Sequence, residues 1–244
     1  MRSIVRIVKT GWIFSWAGLM TIILFFPIVI ASLLGSTGNF SFILSQAWAR
    51  VMLLVTGVRV RAEGRDKIER GRSYVIISNH QSQFDILALV TSLGMQYRWI
   101  IKQEIRKVPL FGYALYASRN IFIDRRNSDS ARESIRRGLD RLPAGVSVMF
   151  FAEGTRSADG RLLEFKKGGF NVALERGLPI LPVTVNGSRL VLPKGSAEFH
   201  SGRIRVVVGD PIDTRGLGRE RMAELMAKTR SAIESNLELN IDNN

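Results

Sequence analysis

The feature that most constrains this chain is a long stretch without charge. No Asp, Glu, Lys or Arg occurs between Lys9 and Arg50. Within that stretch, the segment from Gly11 to Gly35 is almost entirely apolar. Because about 20 consecutive apolar residues are enough to cross a bilayer as a helix, the segment predicts a membrane helix. A secretory signal peptide is the alternative, but its apolar core is shorter, at about 7–15 residues.

The flanks of this segment predict how it meets the membrane. Basic residues stand on both sides, namely Arg2, Arg6 and Lys9 before it and Arg50, Arg59, Arg61 and Arg65 after it. Since positive residues favour the cytoplasmic side, two basic flanks favour a segment that enters the membrane and returns, with a single-span anchor as the alternative. The next stretch, Phe40 to Val58, is apolar apart from a stripe that includes Gln46 and Arg50, which favours an interfacial helix. We therefore predict a two-helix membrane arm over residues 1–57 and a globular domain over residues 58–244.

Composition narrows the classes of function. The 244-residue chain has a formal net charge of +14, so it suits anionic partners such as phosphates, acidic lipid headgroups or nucleic acid. It has no cysteine and two histidines, which excludes disulfides, thiolate catalysis and a metal centre rich in Cys or His. No metal site is therefore expected.

The domain alternates between strand and helix patterns. Short runs rich in β-branched or aromatic residues predict strands at 72–78, 119–124, 146–152, 178–185 and 203–209. Helical patterns lie between or after them, at 84–93, 128–142, 167–176 and 219–239. This alternation predicts an α/β fold, in which a largely parallel central sheet is flanked by helices.

His80 and Asp85 stand just after the first predicted strand, in "YVIISNHQSQFDILAL". On one regular helix the two side chains would point about 140° apart, so they can touch only if His80 lies in the loop and Asp85 in the first helical turn. Ser82 could cap that helix, and the carboxylate could serve the cap or fold back to the imidazole. A carboxylate on Nδ1 leaves Nε2 as a base. Since no GxSxG segment supplies a serine, this base would act on a substrate hydroxyl; a loop histidine beside an ordinary helix cap is the alternative.

Five segments, taken in order along the chain, resemble the sequence blocks of the glycerolipid acyltransferases. They are "NHQSQFD" (79–85), "KQEIRKVPLFG" (102–112), "RNIFIDR" (119–125), "FAEGTRS" (151–157) and "LPILPV" (178–183). The first is similar to the family pattern N-H-x-x-x-x-D, and the fourth to F-P-E-G-T-R-S. The likeness covers about residues 58–213, and the apolar arm is similar to that of the bacterial lysophosphatidic acid acyltransferases.

The resemblance implies a role for each candidate site residue. His80 would activate the acceptor hydroxyl and Asp85 would orient it, with direct attack on an acyl thioester. Phosphate recognition would fall to Arg125 and Arg156, which follow predicted strand ends, with Lys102 as a further candidate. The remaining two candidates are Glu153, which could orient Arg156 or contact the acceptor, and Gly154, which would let the backbone approach the ligand.

Two positions depart from the family pattern. Arg119 stands where the family usually has glycine, and Ala152 where it usually has proline. Ala152 leaves the residues from Glu153 to Arg156 in place. Arg119 needs space and a partner, so we expect it to narrow or re-aim the acceptor site.

The expected function is transfer of a fatty acyl group from acyl-CoA or acyl-carrier protein to lysophosphatidic acid. The expected location is the cytoplasmic face of the inner (plasma) membrane, with membrane lipids as partners, no cofactor and no predicted oligomeric state. One alternative is a different acceptor, such as a lyso-ornithine lipid, which Arg119 leaves open. Another is a noncatalytic basic module that binds a membrane or nucleic acid. Nucleic acid is disfavoured, because the basic residues are not interleaved with aromatic ones.

Overall fold

The computed structural model describes the backbone of residues 2–35 and 37–238; the side chains of residues 1–7, which include Arg2 and Arg6, and of Ser128 lie outside it. A seven-stranded sheet forms the centre of the domain. Its strands are β1 Val58–Glu63, β2 Val75–Ser78, β3 Tyr97–Lys102, β4 Ile121–Ile123, β5 Ser147–Phe151, β6 Ile180–Asn186 and β7 Gly202–Val208. The strand order is β1-β7-β6-β2-β5-β3-β4. Only the β6–β7 pair within this described sheet is antiparallel, so the predicted largely parallel sheet is confirmed.

Helices cover both faces of the sheet. They are α1 Arg2–Leu34, α2 Asn39–Val55, α3 Phe84–Ser92, α4 Phe111–Ala117, α5 Ser128–Leu139, α6 Gly168–Arg176, α7 Ser188–Val191 and α8 Met222–Glu234. Because side chains alternate along a strand, neighbouring residues of β2 enter two separate cores. Ile76 packs in a core with α2 and α3. Val75 and Ile77 pack in a second core with α5, α6 and α8.

The first two helices form an antiparallel hairpin. The Trp12 indole donates a hydrogen bond to the carbonyl of Val55 (3.1 Å), and the Ser41 hydroxyl donates one to the carbonyl of Ile28 (3.3 Å). The start of α1 therefore lies beside the end of α2. Residues Val8–Leu34, 27 in number, are long and apolar enough to cross a membrane by length and composition.

Helix α1 lies along the globular domain instead of projecting from it. Near its start, the Thr10 hydroxyl donates a hydrogen bond to the carbonyl of Ala197 (2.8 Å). Farther along, Trp16 packs against the core that α2 and α3 share with the sheet. Near its end, Ile28 packs against Ala114 and the rest of α4. One side of α1 is thus covered by protein over about 20 residues; the domain boundary at residue 58 stays a prediction.

A buried arginine holds the turn between α1 and α2. Arg98, in β3, has no exposed surface. Its Nη2 donates to the carbonyl of Thr37 (2.7 Å) and to Oδ1 of Asn39 (3.0 Å). Burial lowers the pKa of Arg98 to about 10, so the side chain keeps its charge at neutral pH. The hairpin and the sheet are therefore joined by charge-assisted hydrogen bonds.

Candidate active site

The predicted site residues lie at one edge of the sheet. His80 follows β2, Lys102 ends β3, Arg125 follows β4 and Glu153 follows β5. These four strands run parallel to one another. Since the carboxyl ends of parallel strands meet at the same edge, side chains that are far apart in sequence come together there.

His80 and Asp85 are in direct contact. The imidazole Nδ1 lies 2.7 Å from Asp85 Oδ2, and the Asp85 side chain is fully buried. The same oxygen accepts hydrogen bonds from the backbone N–H groups of Gln81 (2.7 Å) and Ser82 (2.9 Å). The Ser82 hydroxyl accepts one from the N–H of Phe84 (3.2 Å). The carboxylate therefore serves the start of α3 and the imidazole at once, two roles that the sequence left as alternatives.

Phe151, which sequence reasoning missed, packs against the flat face of the His80 imidazole. The rings of His80 and Phe151 are stacked, with centroids 3.7 Å apart and planes 7° from parallel. Trp99 stacks on the far side of Phe151 at 5.5 Å. Stacking fixes the plane of the imidazole, and the Asp85 contact fixes its rotation within that plane. Phe151 begins the fourth family-like block, and this position is the one signal that could have pointed to it.

Glu153 clamps the backbone of His80. Its Oε1 accepts a hydrogen bond from the N–H of His80 (2.9 Å), and its Oε2 accepts one from the N–H of Leu163 (3.1 Å). The His80 carbonyl in turn accepts from the N–H of Ser157 (2.7 Å). Burial raises the pKa of the Glu153 carboxyl, against the effect of its two N–H donors. Among the described contacts both oxygens of Glu153 bind backbone amides, and neither binds Arg156, so the expected orientation of Arg156 by Glu153 stays a prediction.

Arg125 reaches across to the loop that follows β5. Its Nη1 donates a hydrogen bond to the carbonyl of Gly154 (2.6 Å). Burial lowers the pKa of Arg125, which nonetheless stays charged at neutral pH. Gly154 has φ of 68°, in the left-handed region that glycine adopts without strain. The glycine is thus required by the turn that offers its carbonyl to Arg125.

The other two cations, Lys102 and Arg156, lie on the same edge. Lys102 Nζ lies 3.2 Å from Oε1 of Glu104, and both side chains are exposed. Arg156 is half-buried. Its carbonyl accepts a hydrogen bond from Lys194 Nζ (2.7 Å). Lys194 is a contact of this loop that the sequence did not suggest.

An apolar cavity of about 590 Å³ opens beside the stacked pair. Arg125, Phe151 and Glu153 line one part of it. The remainder is formed mainly by side chains of the sheet and of helices α5 and α6, including Ile77, Ile123, Ile135, Leu139, Phe150 and Val172. Gly168 also lines it, and a Cβ added there would meet no atom within 4 Å. A long apolar group can therefore lie in a cavity whose wall includes Phe151, the ring that stacks on His80.

Arg119 does not enter this site. Its φ of 64° is left-handed. Its N–H donates to the carbonyl of Tyr116, and the N–H of Asn120 donates to that of Leu115, which is the usual helix ending around a left-handed residue. Its Cγ lies 3.0 Å from the point that a Cβ on Gly38 would occupy. The expected narrowing of the acceptor site is wrong: the family's glycine suits the left-handed backbone, and Arg119 extends towards the turn of the arm.

The fold and the site define a class of protein. A base held by a carboxylate, an apolar cavity beside it and cations on the same edge suit the transfer of an acyl group to a hydroxyl. A family model described as Acyltransferase matches residues 59–186, a little more than half of the chain. The chain belongs to this acyltransferase family.

Individual relatives carry more specific names. The chain is 40% identical over 139 residues to the chloroplastic 1-acyl-sn-glycerol-3-phosphate acyltransferase BAT2 of Brassica napus, covering 57% of this chain but 40% of that protein. It is 30% identical over 213 residues to the 1-acyl-sn-glycerol-3-phosphate acyltransferase of Saccharomyces cerevisiae, covering 86% of this chain and 70% of that one. The crystal structure of the 1-acyl-sn-glycerophosphate (LPA) acyltransferase PlsC from Thermotoga maritima superposes with a TM-score of 0.82 at 25% identity, covering 97% and 96% of the two chains. The chain thus spans less than half of the plant relative and nearly all of the bacterial one.

Proposed function

We propose that this protein transfers a fatty acyl group from an acyl thioester to the free hydroxyl of lysophosphatidic acid, giving phosphatidic acid. The observation that carries the proposal is the 2.7 Å contact between His80 Nδ1 and Asp85 Oδ2 beside an apolar cavity. The names of the relatives from Brassica napus, yeast and Thermotoga maritima support lysophosphatidic acid as the acceptor.

In this proposal His80 is the general base and Asp85 orients it. The acceptor oxygen forms a bond to the thioester carbonyl carbon while its proton moves to Nε2 of His80. The tetrahedral intermediate then collapses, the carbon–sulfur bond breaks, and the leaving thiolate takes the proton from the imidazolium. The buried Asp85 carboxylate stabilises that imidazolium during the reaction. No acyl-enzyme and no cofactor is needed.

The cations would hold the phosphate of the acceptor. Arg125 and Arg156 lie on or against the loop after β5, and the contact of Arg125 with Gly154 fixes its position relative to that loop. Lys102 adds a point charge at the end of β3. Glu153 takes part through the backbone of His80, which it holds in place. The arginine fork suits phosphate oxygens, so loss of either arginine should raise KM for the acceptor more than it lowers kcat.

The cavity would hold the fatty acyl chain of the donor, either acyl-CoA or acyl-carrier protein. Its lining by Ile135, Leu139 and Val172 suits an alkyl chain, and Phe151, which stacks on His80, lines it as well, so the thioester end would lie at the Phe151 side of the cavity. The membrane carries the acceptor and receives the product.

The apolar helix and the family together indicate association with a membrane. We place the protein on the cytoplasmic face of the inner (plasma) membrane, because both donors are cytoplasmic molecules. In this arrangement the hairpin lies within one leaflet, since the domain covers one side of α1 from Thr10 to Ile28. If α1 crossed the bilayer, the part of the domain packed along it would have to enter the hydrocarbon as well, so we propose that α1 does not span.

The test is the purified protein in detergent or vesicles, given an acyl-CoA and a panel of lysolipids that includes lysophosphatidic acid and a lyso-ornithine lipid, with products measured by mass spectrometry. We expect phosphatidic acid. His80→Ala and Asp85→Asn should each lower kcat at least about a hundredfold, the usual contribution of a general base and its orienting group. His200→Ala is the matched control, because His200 is the other histidine and is exposed.

Three results would contradict the proposal. Exclusive use of another lysolipid would overturn the acceptor. Full activity of His80→Ala would overturn the mechanism. Membrane binding without transfer to any lysolipid would favour the noncatalytic alternative.

A further inference from the structure

We infer that residues 108–116, here called the α4 segment, form a second membrane-contacting element that lies against the bilayer beside the α1–α2 hairpin. The inference deepens the proposed function and rests on the protein being at a membrane. It extends the lipid-facing surface from the N-terminal arm to a part of the globular domain that leads directly to the phosphate-binding edge.

The α4 segment exposes an unusual amount of apolar and aromatic surface. Val108, Leu110, Tyr113 and Tyr116 all point out of the domain, with exposed fractions from 40% at Leu110 to 52% at Tyr113. Clustered exposed apolar side chains mark a surface that binds something. Two of the four are tyrosines, which favour the boundary between water and hydrocarbon because the ring is apolar and the hydroxyl polar.

The backbone of the segment is strained where it presents Leu110. This residue has φ of 58° and ψ of −55°, and the N–H of Phe111 donates to the carbonyl of Pro109 at 2.6 Å. These are the features of a γ-turn with a positive φ, a conformation that is unfavourable for leucine. Strain of this kind is concentrated at ligand-binding and other functional segments. Here it holds an apolar side chain out in solvent, which makes sense if that side chain enters lipid.

The segment is continuous with the apolar surface of the arm. Ala114 and Ala117 of α4 pack against Ile28 of α1. The ring centroids of Tyr113 and Phe25 lie 5.9 Å apart. Phe26, the residue after Phe25 on α1, is exposed. A bilayer that receives the exposed side of α1 therefore meets the α4 segment on the same side of the molecule. This continuity selects lipid over a second protein as the occupant.

Charge at the edge of the segment supports the same occupant. Arg106 and Lys107 come immediately before it and are exposed. The Arg106 guanidinium lies 4.1 Å from the centre of the Tyr116 ring, so the cation borders the aromatic patch. An apolar patch rimmed by cations suits the interface of a bilayer that contains anionic lipids.

The position of the segment gives it a consequence for substrate entry. It connects the end of β3, which carries Lys102, to β4, which is followed by Arg125. A lysolipid that lies in the leaflet next to the α4 segment would have its phosphate close to both cations while its chain stays in hydrocarbon. The acceptor can then reach the site without leaving the membrane.

The absence of cysteine from the chain allows a direct test. Single variants Tyr113→Cys, Leu19→Cys and Lys228→Cys are labelled with an environment-sensitive fluorophore in the full-length protein. Vesicles of phosphatidylcholine and phosphatidylglycerol are added, with and without bromine atoms in the acyl chains. Leu19, on the exposed side of α1, is the positive control, and Lys228, on α8 at the opposite face of the sheet, is the negative control.

We expect the probes at residues 113 and 19 to shift to the blue and to be quenched by brominated chains, and the probe at residue 228 to do neither. A probe at residue 113 that behaves like the one at 228 would overturn the inference. So would a shift that appears without vesicles as protein concentration rises, since it would mean that two copies pair through this surface.

A second variant removes apolar surface from the α4 segment. Leu110→Gly combined with Tyr113→Ser should lower partition onto the vesicles about tenfold, from the apolar area withdrawn. Glycine adopts the positive φ of residue 110 without strain, so the Leu110→Gly substitution should not lower the thermal unfolding temperature. Unchanged partition would contradict the inference.

Neither measurement uses an acyl donor, which separates this inference from the proposed function. A probe at residue 113 that stays in water, on an enzyme that acylates lysophosphatidic acid, would overturn the second element alone. A buried probe on a protein without transferase activity would overturn the proposed function alone.

Discussion

The rings of His80 and Phe151 lie parallel and 3.7 Å apart. The histidine is thereby constrained on its face by an aromatic ring and on its edge by a carboxylate. With Nδ1 bound to Asp85, the remaining nitrogen has one available direction. Such orientation would matter for the general-base role that we propose for His80, because a small misplacement of reacting atoms costs a large part of the rate.

Removing the stacked ring should therefore reduce turnover. We expect Phe151→Ala to lower kcat by about tenfold to a hundredfold, since the imidazole gains freedom to leave its reactive orientation. KM for the acceptor should change much less, because Phe151 is not one of the residues that we propose to bind the phosphate. Steady-state kinetics on the purified protein measure both constants. Phe151→Tyr, which keeps the stacking surface, should restore most of kcat; a loss equal to that of alanine would argue against orientation as the cause.

Gly168 should control the length of acyl chain that is transferred. It lines the cavity, and a side chain added there has open space before it. Gly168→Phe should fill part of the cavity and shift the preferred donor to shorter chains, which competition among acyl-CoAs of different lengths would measure. Gly169→Ala is the neighbouring control, because its Cβ would meet the Phe150 ring at 3.2 Å and add one methyl group only. An unchanged profile for Gly168→Phe would place the acyl chain elsewhere.

Glu153 should make stability depend on pH. Burial raises the pKa of its carboxyl above the ordinary value of 4.5. The folded state therefore binds this proton more tightly than the unfolded state, so the contribution to stability is greatest below pH 4.5 and declines as pH rises towards the folded pKa. Denaturant unfolding across about pH 4–8 should show this decline.

In Glu153→Gln the part of the pH dependence due to Glu153 should disappear. The amide has one oxygen for two N–H donors, so one of the amides of His80 and Leu163 loses its partner. That loss should lower the free energy of unfolding by about 1–3 kcal/mol at every pH. An identical pH slope in the variant and the original protein would assign the slope to other groups.

Arg119 offers a stabilising substitution. A left-handed backbone costs a residue with a Cβ about 1–2 kcal/mol, and Arg119 has φ of 64°. Arg119→Gly should raise the free energy of unfolding by about 1 kcal/mol while activity stays unchanged, because the side chain lies away from the site. Ser118→Gly is the matched control, since its φ of −75° gives glycine no such advantage. If Arg119→Gly loses activity, Arg119 takes part in the acceptor site after all.

The strands were predicted from short apolar runs, and helices such as α5 from helical spacing and from acidic residues early and basic residues late. Strands β2, β4, β5, β6 and β7 and helices α3, α5, α6 and α8 all overlap the predicted runs. The two missed strands each contain arginines and lack the run of three valines that indicated β7 despite Arg203 and Arg205. In β1, Arg59 and Arg61 give the pattern of a solvated segment, and in β3 the buried Arg98 contradicts the usual exposure of charge. A buried arginine inside a strand can be predicted only when its hydrogen-bond partners are known, and the partners of Arg98 lie in the turn between α1 and α2.

The same limit applies to the site. The spacing of His80 and Asp85 allowed a contact but left an ordinary helix cap as the alternative, and the family resemblance favoured the contact; such a contact can be considered from sequence because both residues lie within one strand–loop–helix connection. Phe151 could not be placed, because its position depends on the pairing of β2 with β5, in which Ser78 lies opposite Phe151. The clamp by Glu153 follows from the same pairing. Strand order is set by long-range packing, and local sequence patterns carry little information about it.

The hydrogen bond from Thr10 to Ala197 joins residues 187 positions apart. During synthesis the first helix is finished long before the loop on which it rests exists. The part of α1 that rests on this loop must therefore stay uncovered by it until about four-fifths of the chain has been made. A nascent protein in this state needs an apolar environment for the uncharged residues 10–34, and the bilayer on which we propose that the protein acts is available from the start.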